Sequence, residues 1–323
     1  MNRFGLLLKR EYWENRGGFL WAPVWTSVVI LVMTIIGMFV AVWHASGRAN
    51  GEVHVGVPLK QLIAKIPPEE MSKLGFGLDS GLAGFWLVLQ VVLFFVLFFY
   101  LLGALYDDRR DRSILFWKSL PISDTQTVLS KVVMAALVAP LLAWAATVAL
   151  NFMFLVLLTV FVGINGVNPM TTIWGPAEPL VLWAKMLALV PINALWALPA
   201  IGWLLLTSSF AKSKPFLWAV ALPVALGVLI TVFELLDTIG IPDSWYWQNV
   251  AGRILVSLVP DSWIWLADDN IIRGFERNGP VSVLDWKLIG TVLASPSIWI
   301  GAAAGAGMIA GATWFRRRRE LAD

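Results

Sequence analysis

His44 and His54 are the only histidines, and there is no cysteine. Two imidazoles without clustered carboxylates make a poor metal ligand set, so no metal is expected in this chain. Without cysteine, disulfide and thiolate chemistry are excluded. The patterns HExxH, GxxxxGK[ST] and GxSxG are absent. Zinc-protease chemistry, a P-loop for nucleotide and a nucleophile elbow are therefore not expected. The ionisable residues that fall in apolar stretches are Lys185, Glu234 and Asp237. Charge inside a membrane marks function by default. These three lie near the ends of their stretches, where a long side chain reaches the interface. No charge is expected at mid-depth, where an ion-coupled carrier would need it. The residues point to a chain that is no enzyme and carries no cofactor of its own.

The elements that hold these residues are set by hydrophobicity. The chain has 323 residues, of which 59% are hydrophobic and 14% charged. Soluble domains run at about 45–50% and about 25%. The surplus of apolar surface implies an integral membrane protein, all-α and polytopic. Six stretches reach the length of about 20 residues needed to span. They lie near 20–43, 82–105, 128–163, 180–209, 215–238 and 291–315. The third is too long for one straight span and contains Pro140 and Asn151, so a tilted, kinked and protruding helix is expected. Residues 1–19 read as an amphipathic interfacial helix, 20–315 as the transmembrane domain and 316–323 as a basic tail.

Six spans place both ends on one side. More than half of the 24 basic residues lie in four segments on that side: 1–19, 106–131, the link carrying Lys212 and Lys214, and the tail Arg316–Arg319. By the positive-inside rule both termini are cytoplasmic, in a plasma membrane (the inner membrane of a bacterium). The outer loops are then 44–81, 164–179 and 239–290. The first apolar run exceeds that of a signal peptide, and cleavage is not expected.

The segment YDDRRDRSILFWKSLPISDTQTVLSK, Tyr106 to Lys131, interrupts two apolar stretches. Asp111 is placed to cap a short helix from Arg112 to about Leu120. Nine residues cannot span, yet Ile114, Phe116, Trp117 and Leu120 are too apolar for water. The helix must lie against the membrane, the protein itself or a partner. Pro121 stops it. Ser123 and Gln126 have the spacing of a capping box that starts the third span, and Asp124 suits the helix dipole there.

This stretch resembles the first cytoplasmic loop of ABC-2-type permeases, the membrane subunits of ABC exporters. That family tends to carry an acidic residue, then Gly-Thr-Leu, leucines, Leu-Pro-Val-Ser, and a lysine eight residues after the serine. Here the matches are Asp108, Ser113-Ile114, Phe116 and Trp117, Leu120-Pro121-Ile122-Ser123, and Lys131. The glycine position holds Arg112. About 25 residues carry the motif, and the topology matches throughout. The resemblance implies a cytoplasmic coupling helix within 106–127 that sits in a cleft of a separate ABC ATPase, which binds ATP and Mg. Ile114, Phe116, Trp117 and Leu120 would be the apolar knobs. Asp108, Arg109, Arg110, Asp111 and Arg112 would be the polar collar. It also implies a second permease copy or paralogue and export of an amphipathic substrate: a lipid, a peptide or a drug. Nucleic acid is not an expected partner.

The start, RFGLLLKREYWENRGG, is a basic amphipathic helix suited to the interface plane. The loop 239–290 holds apolar pieces such as Ile254–Val259, too short to span and suited to re-entrant or interfacial helices, with tryptophans at headgroup level. The last stretch has two GxxxG spacings, Gly301/Gly305 and Gly307/Gly311. Packing inside one subunit is expected of them before a dimer seam. The competing readings are a secondary carrier, a lipid-modifying intramembrane enzyme, and a membrane scaffold without transport.

Overall fold

The computed structural model describes residues 3–47, 67, 70–119, 121–235, 243–264 and 286–318. Among these the regular structure is helical, with no strand. Six helical stretches are long and apolar enough to cross a membrane. In chain order the helices are α1 Arg3–Glu14, α2 Ala22–Gly47, α3 Met71–Gly103, α4 Tyr106–Arg110, α5 Ser113–Ser119, α6 Asp124–Val133 and α7 Ala139–Ile164. There follow α8 Pro179–Phe210, α9 Leu222–Leu235, α10 Asp243–Tyr246, α11 Gly252–Leu255, α12 Trp286–Ala294 and α13 Pro296–Arg318.

The core is two apolar clusters stacked along the bundle, and both draw on α3, α7 and α8. One joins Leu93–Leu105 with Val128–Ala143 and Ala200–Leu205; the other joins Leu82 and Trp86 with Leu155, Leu189 and Trp196. The outward faces stay apolar. Met33, Ile36 and Phe39 of α2 and Val228 and Leu229 of α9 are exposed, which water would not tolerate and hydrocarbon does.

α6 and α7 form one continuous stretch of 41 residues, Asp124–Ile164. At 1.5 Å per residue that is about 60 Å, twice the hydrocarbon thickness. A wide π-turn, Met134–Val138, precedes Pro140. Proline has no N–H to offer the turn before it, and the irregular turn falls where that bond is missing. α3 begins about ten residues before the stretch read from hydropathy. Gly75, Gly77 and Gly81 hide the periodicity there, yet Gly75 sits against the Pro176 carbonyl, where no side chain fits.

α13 packs along α8 more closely than any other pair. A Cβ at Gly305 would lie 2.5 Å from the Leu198 carbonyl oxygen, and one at Gly202 would lie 2.5 Å from the Gly305 oxygen. Gly301 faces Pro199 and Arg253. The first GxxxG pair is therefore spent inside the chain. A Cβ at Gly307 would meet nothing within 4 Å, while one at Gly311 would lie 3.2 Å from Leu206 Cδ1, so the second pair is not closed against α8 as the first is.

Candidate functional site

The segment 106–131 lies at the end of the bundle that also holds α1 and the end of α13. α4 turns back against the end of α8. Ser208 Oγ accepts from the backbone N–H of Leu105 and Tyr106, at 3.0 and 2.9 Å. The Arg109 guanidinium donates to the Ser208 and Ala211 carbonyls at 2.7 and 2.9 Å. A cation on the last carbonyls of a helix satisfies acceptors that have no intrahelical partner and suits the dipole. Asp108 accepts from Arg316 at 2.9 Å, and Arg316 also reaches Asp124 at 3.1 Å. Asp108 and Arg109 are thus committed inward. Arg110, Asp111 and Arg112 are exposed.

Asp111 does not cap the short helix. Its carboxylate lies 3.8 Å from Arg110, because Arg112 takes a left-handed conformation, φ 57°, and reverses the chain between α4 and α5. Arg112 occupies the position where the resembled family carries glycine, and its backbone angle is one that glycine adopts without cost. The short helix runs Ser113–Ser119, two residues inside the expected span, and Pro121 follows it.

Within α5 the apolar residues divide. Ile114 is fully buried and anchors the helix to the bundle. Trp117 is half-buried under the Arg10 guanidinium, 3.4 Å from its ring centre, a cation–π contact. Phe116 is 60% exposed and Leu115 49%. The sequence singled out Phe116 but not Leu115, which the helix turns to the same open side. Leu120 lies outside the described residues. α1 also holds the segment through Arg3, which donates to the Pro121 carbonyl at 3.1 Å. The capping box is present, with Ser123 Oγ accepting from the Gln126 N–H at 3.2 Å and the Ser123 N–H donating to Gln126 Oε1 at 3.4 Å.

Lys131, the lysine of the motif, enters a buried ion pair. Its ammonium lies 3.0 and 3.2 Å from the two oxygens of Glu11, and Tyr100 donates its hydroxyl to Glu11 Oε2 at 2.8 Å. This joins α1, α3 and α6 at one point. Glu11 was hidden in the sequence as one charge among several on an amphipathic helix.

A second polar cluster was not expected. The described part of the loop after α9, residues 243–264, enters among the helices. Tyr246 donates to the Pro223 carbonyl at 2.8 Å and Trp247 to Thr231 at 3.2 Å. Leu258 joins the cluster of Leu97, Ala135 and Leu204. The entry is as the short apolar pieces implied, but Trp263 is 1% exposed, packed in the core and not at an interface. Asp261 is buried midway along α3 and α8. Its carboxylate accepts from Asn193 Nδ2 at 2.7 Å and Trp86 Nε1 at 2.9 Å, and its own N–H donates to Asn193 Oδ1 at 3.1 Å. Trp263 Nε1 donates to the same oxygen at 3.1 Å. Arg253 lies 3.5 Å over the Trp196 ring and donates to the Ser297 carbonyl at 3.4 Å. Ionisable residues thus do lie midway along the long helices, against the expectation. They come from a loop whose apolar pieces are too short to span, so the six spans alone did not contain them.

Lys185 is half-buried early in α8 and Glu234 is exposed at the end of α9, near the ends as expected. His44 sits in the last turn of α2; His54 and Asp237 lie outside the described residues. Among the described residues no three of His, Cys, Asp and Glu gather as a metal site. Comparison with protein-family models, curated proteins and solved structures returns no match.

Proposed function

We propose that this chain is the membrane subunit of an exporter driven by a separate ATPase, as the resemblance to ABC-2-type permeases implies. The observation that carries the reading is α5. It is a short helix tied to the bundle by Ile114, Trp117, Arg3 and Arg109, yet it presents Phe116 and Leu115 outward at the charged end of the molecule. A bland positive-inside loop needs neither the anchor nor the exposed aromatic. An apolar knob with a charged rim is the anatomy of a protein interface. In this reading Phe116 and Leu115 enter the ATPase, with Arg110, Asp111 and Arg112 as the rim. Asp108, Arg109 and Ile114 transmit force into the bundle. ATP and Mg belong to the partner. Both termini are cytoplasmic, in the plasma membrane, and a second copy or a paralogue completes the pathway for an amphipathic substrate.

The test is co-purification with the ATPase encoded beside this chain, in lipid nanodiscs, with ATP hydrolysis measured with and without the chain. A complex with altered hydrolysis is expected, weakened by Leu115→Ala with Phe116→Ala while the protein stays folded. No complex, or a double variant that behaves as the parent, overturns the assignment.

A second reading, an ion-coupled carrier, is favoured by Asp261 and Arg253 at mid-depth. It predicts uptake or efflux in proteoliposomes driven by an ion gradient with no ATPase present, and abolished by Asp261→Asn. The saturation of Asp261 by Asn193 and Trp86 favours a fixing role for it, and the ATPase-driven reading is the one adopted.

A further inference from the structure

A cleft opens between α1, the turn that follows it and the final third of α3. It encloses about 640 Å³, within the range of small-molecule sites, about 300–1,000 Å³. Its floor is the closed Glu11–Lys131 pair with Tyr100. One wall is Phe95, Val96 and Phe99, and the two phenylalanines are 53% and 62% exposed. The roof is Asn15 with Gly17, Gly18 and Phe19. Gly18 lets it close on α3, since a Cβ there would lie 2.9 Å from Val96 Cγ1. A Cβ at Gly17 would meet nothing within 4 Å, so the space beside it is open.

The charges of the lining do not balance locally. Glu11 is matched by Lys131, Glu14 by Arg10 at 2.7 Å and Asp108 by Arg316 at 2.9 Å. Asp107 makes no ion pair within 4 Å among the described residues; Arg110 acts on it from farther off and lies 3.8 Å from Asp111. The Asp107 carboxylate lies back over Gly103, on the spot a Cβ would take, and so borders the cleft. One free carboxylate beside exposed aromatic rings attracts a cation twice, by charge and through the ring faces. An anion meets net repulsion there.

We propose that this cleft binds an amphipathic monocation: a lipophilic amine or quaternary onium, its charge beside Asp107 and its apolar body against Phe95 and Phe99. The site stands on this geometry alone and requires neither an ATPase nor transport.

The probe is tritiated tetraphenylphosphonium, measured by scintillation proximity on the full chain in phosphatidylcholine nanodiscs, with empty nanodiscs as background. Saturable binding is expected. Excess unlabelled cation should displace it, and tetraphenylborate, an anion of the same shape, should not. Asp107→Asn should weaken binding about fivefold. Gly17→Leu should abolish it by filling the space with every charge left in place. Unchanged unfolding midpoints for both variants would show that the fold is intact; if Gly17→Leu unfolds, Ala104→Val occupies the same cleft. Binding that is non-saturable, equal in Asp107→Asn, or displaced equally by the anion overturns the proposal.

Discussion

Removing Lys131 should be among the costliest single changes at the basic end. The Glu11 and Lys131 side chains are 1% and 4% exposed. Three polar contacts of 2.8–3.2 Å converge on the Glu11 carboxylate. Lys131→Met keeps the stem and deletes the ammonium. It leaves a carboxylate out of water with one hydroxyl for company. Breaking one side of a buried pair costs about 3–5 kcal/mol, because the surviving charge is uncompensated. Tyr100→Phe removes one hydrogen bond to a charged acceptor, about 1.5–3 kcal/mol. The more open Arg10–Glu14 pair on the same helix, with the side chains 17% and 49% exposed, supplies the contrast: Arg10→Met should cost about 0.3–0.5 kcal/mol through that pair, beside what its stacking on Trp117 adds. Reversible unfolding in mixed micelles with rising SDS measures each difference. The decisive variant is Glu11→Leu with Lys131→Met. Replacing a whole buried pair by apolar groups is often near neutral, so the double variant should regain most of the loss. A Lys131→Met cost below about 1 kcal/mol, or a double variant as unstable as the sum of its parts, would refute the claim that this pair is buried and closed.

Two further outcomes follow from the backbone. Arg112→Gly should stabilise by up to about 1 kcal/mol, since a non-glycine residue held left-handed is strained by about 1–2 kcal/mol and glycine gives part of that back in chain entropy; the same SDS titration reads it, and Arg112→Val should go the other way. Gly305→Leu should separate α13 from α8 and lower the unfolding midpoint strongly, whereas Gly307→Leu, facing open space, should leave it nearly unchanged; equal effects at the two positions would contradict the packing of this seam.

Much of the fold was legible because its signals are local. The six long helices follow from apolar runs, and Ser123 with Gln126 states its own cap. Pro140 announces an irregular turn because the missing N–H is a property of the residue. Partner choice was not legible. Nothing in the sequence says that Glu11, and not Glu14, meets Lys131, since both lie on one short helix and only packing excludes water from one. Asp108 and Arg109 read as a collar beside Arg110 to Arg112, and the structure separates them because α4 turns Asp108 and Arg109 inward and leaves Arg110 to Arg112 exposed. In the loop 243–264 the short apolar pieces hinted at re-entry, but the polar partners did not show, since only the convergence of Asn193, Trp86 and Trp196 makes room for Asp261 and Arg253.

α8 meets both polar clusters. Its end receives Arg109 on the Ser208 and Ala211 carbonyls, and its middle holds Asp261 through Asn193. Fifteen residues separate Asn193 from Ser208, about 22 Å of helix. Pro199 lies between them, so one backbone bond is missing along that path and the helix can bend there more easily than elsewhere. Gly305 of α13 presses on that point, against Leu198 and Pro199. In the ATPase-driven reading a push on α5 would reach α8 through Arg109, and a rigid α8 would carry it to the Asn193–Asp261 contacts without loss. A bend at Pro199 would absorb it unless α13 holds the joint. In that reading the small residues of α13 would have a mechanical consequence beyond close packing. Pro199→Ala, which restores the missing N–H, should stiffen α8, while Gly305→Ala should loosen the clamp on it. In the ATPase-driven reading the two should shift the coupling between hydrolysis and transport in opposite directions. Shifts in the same direction would mean that α8 does not carry the motion.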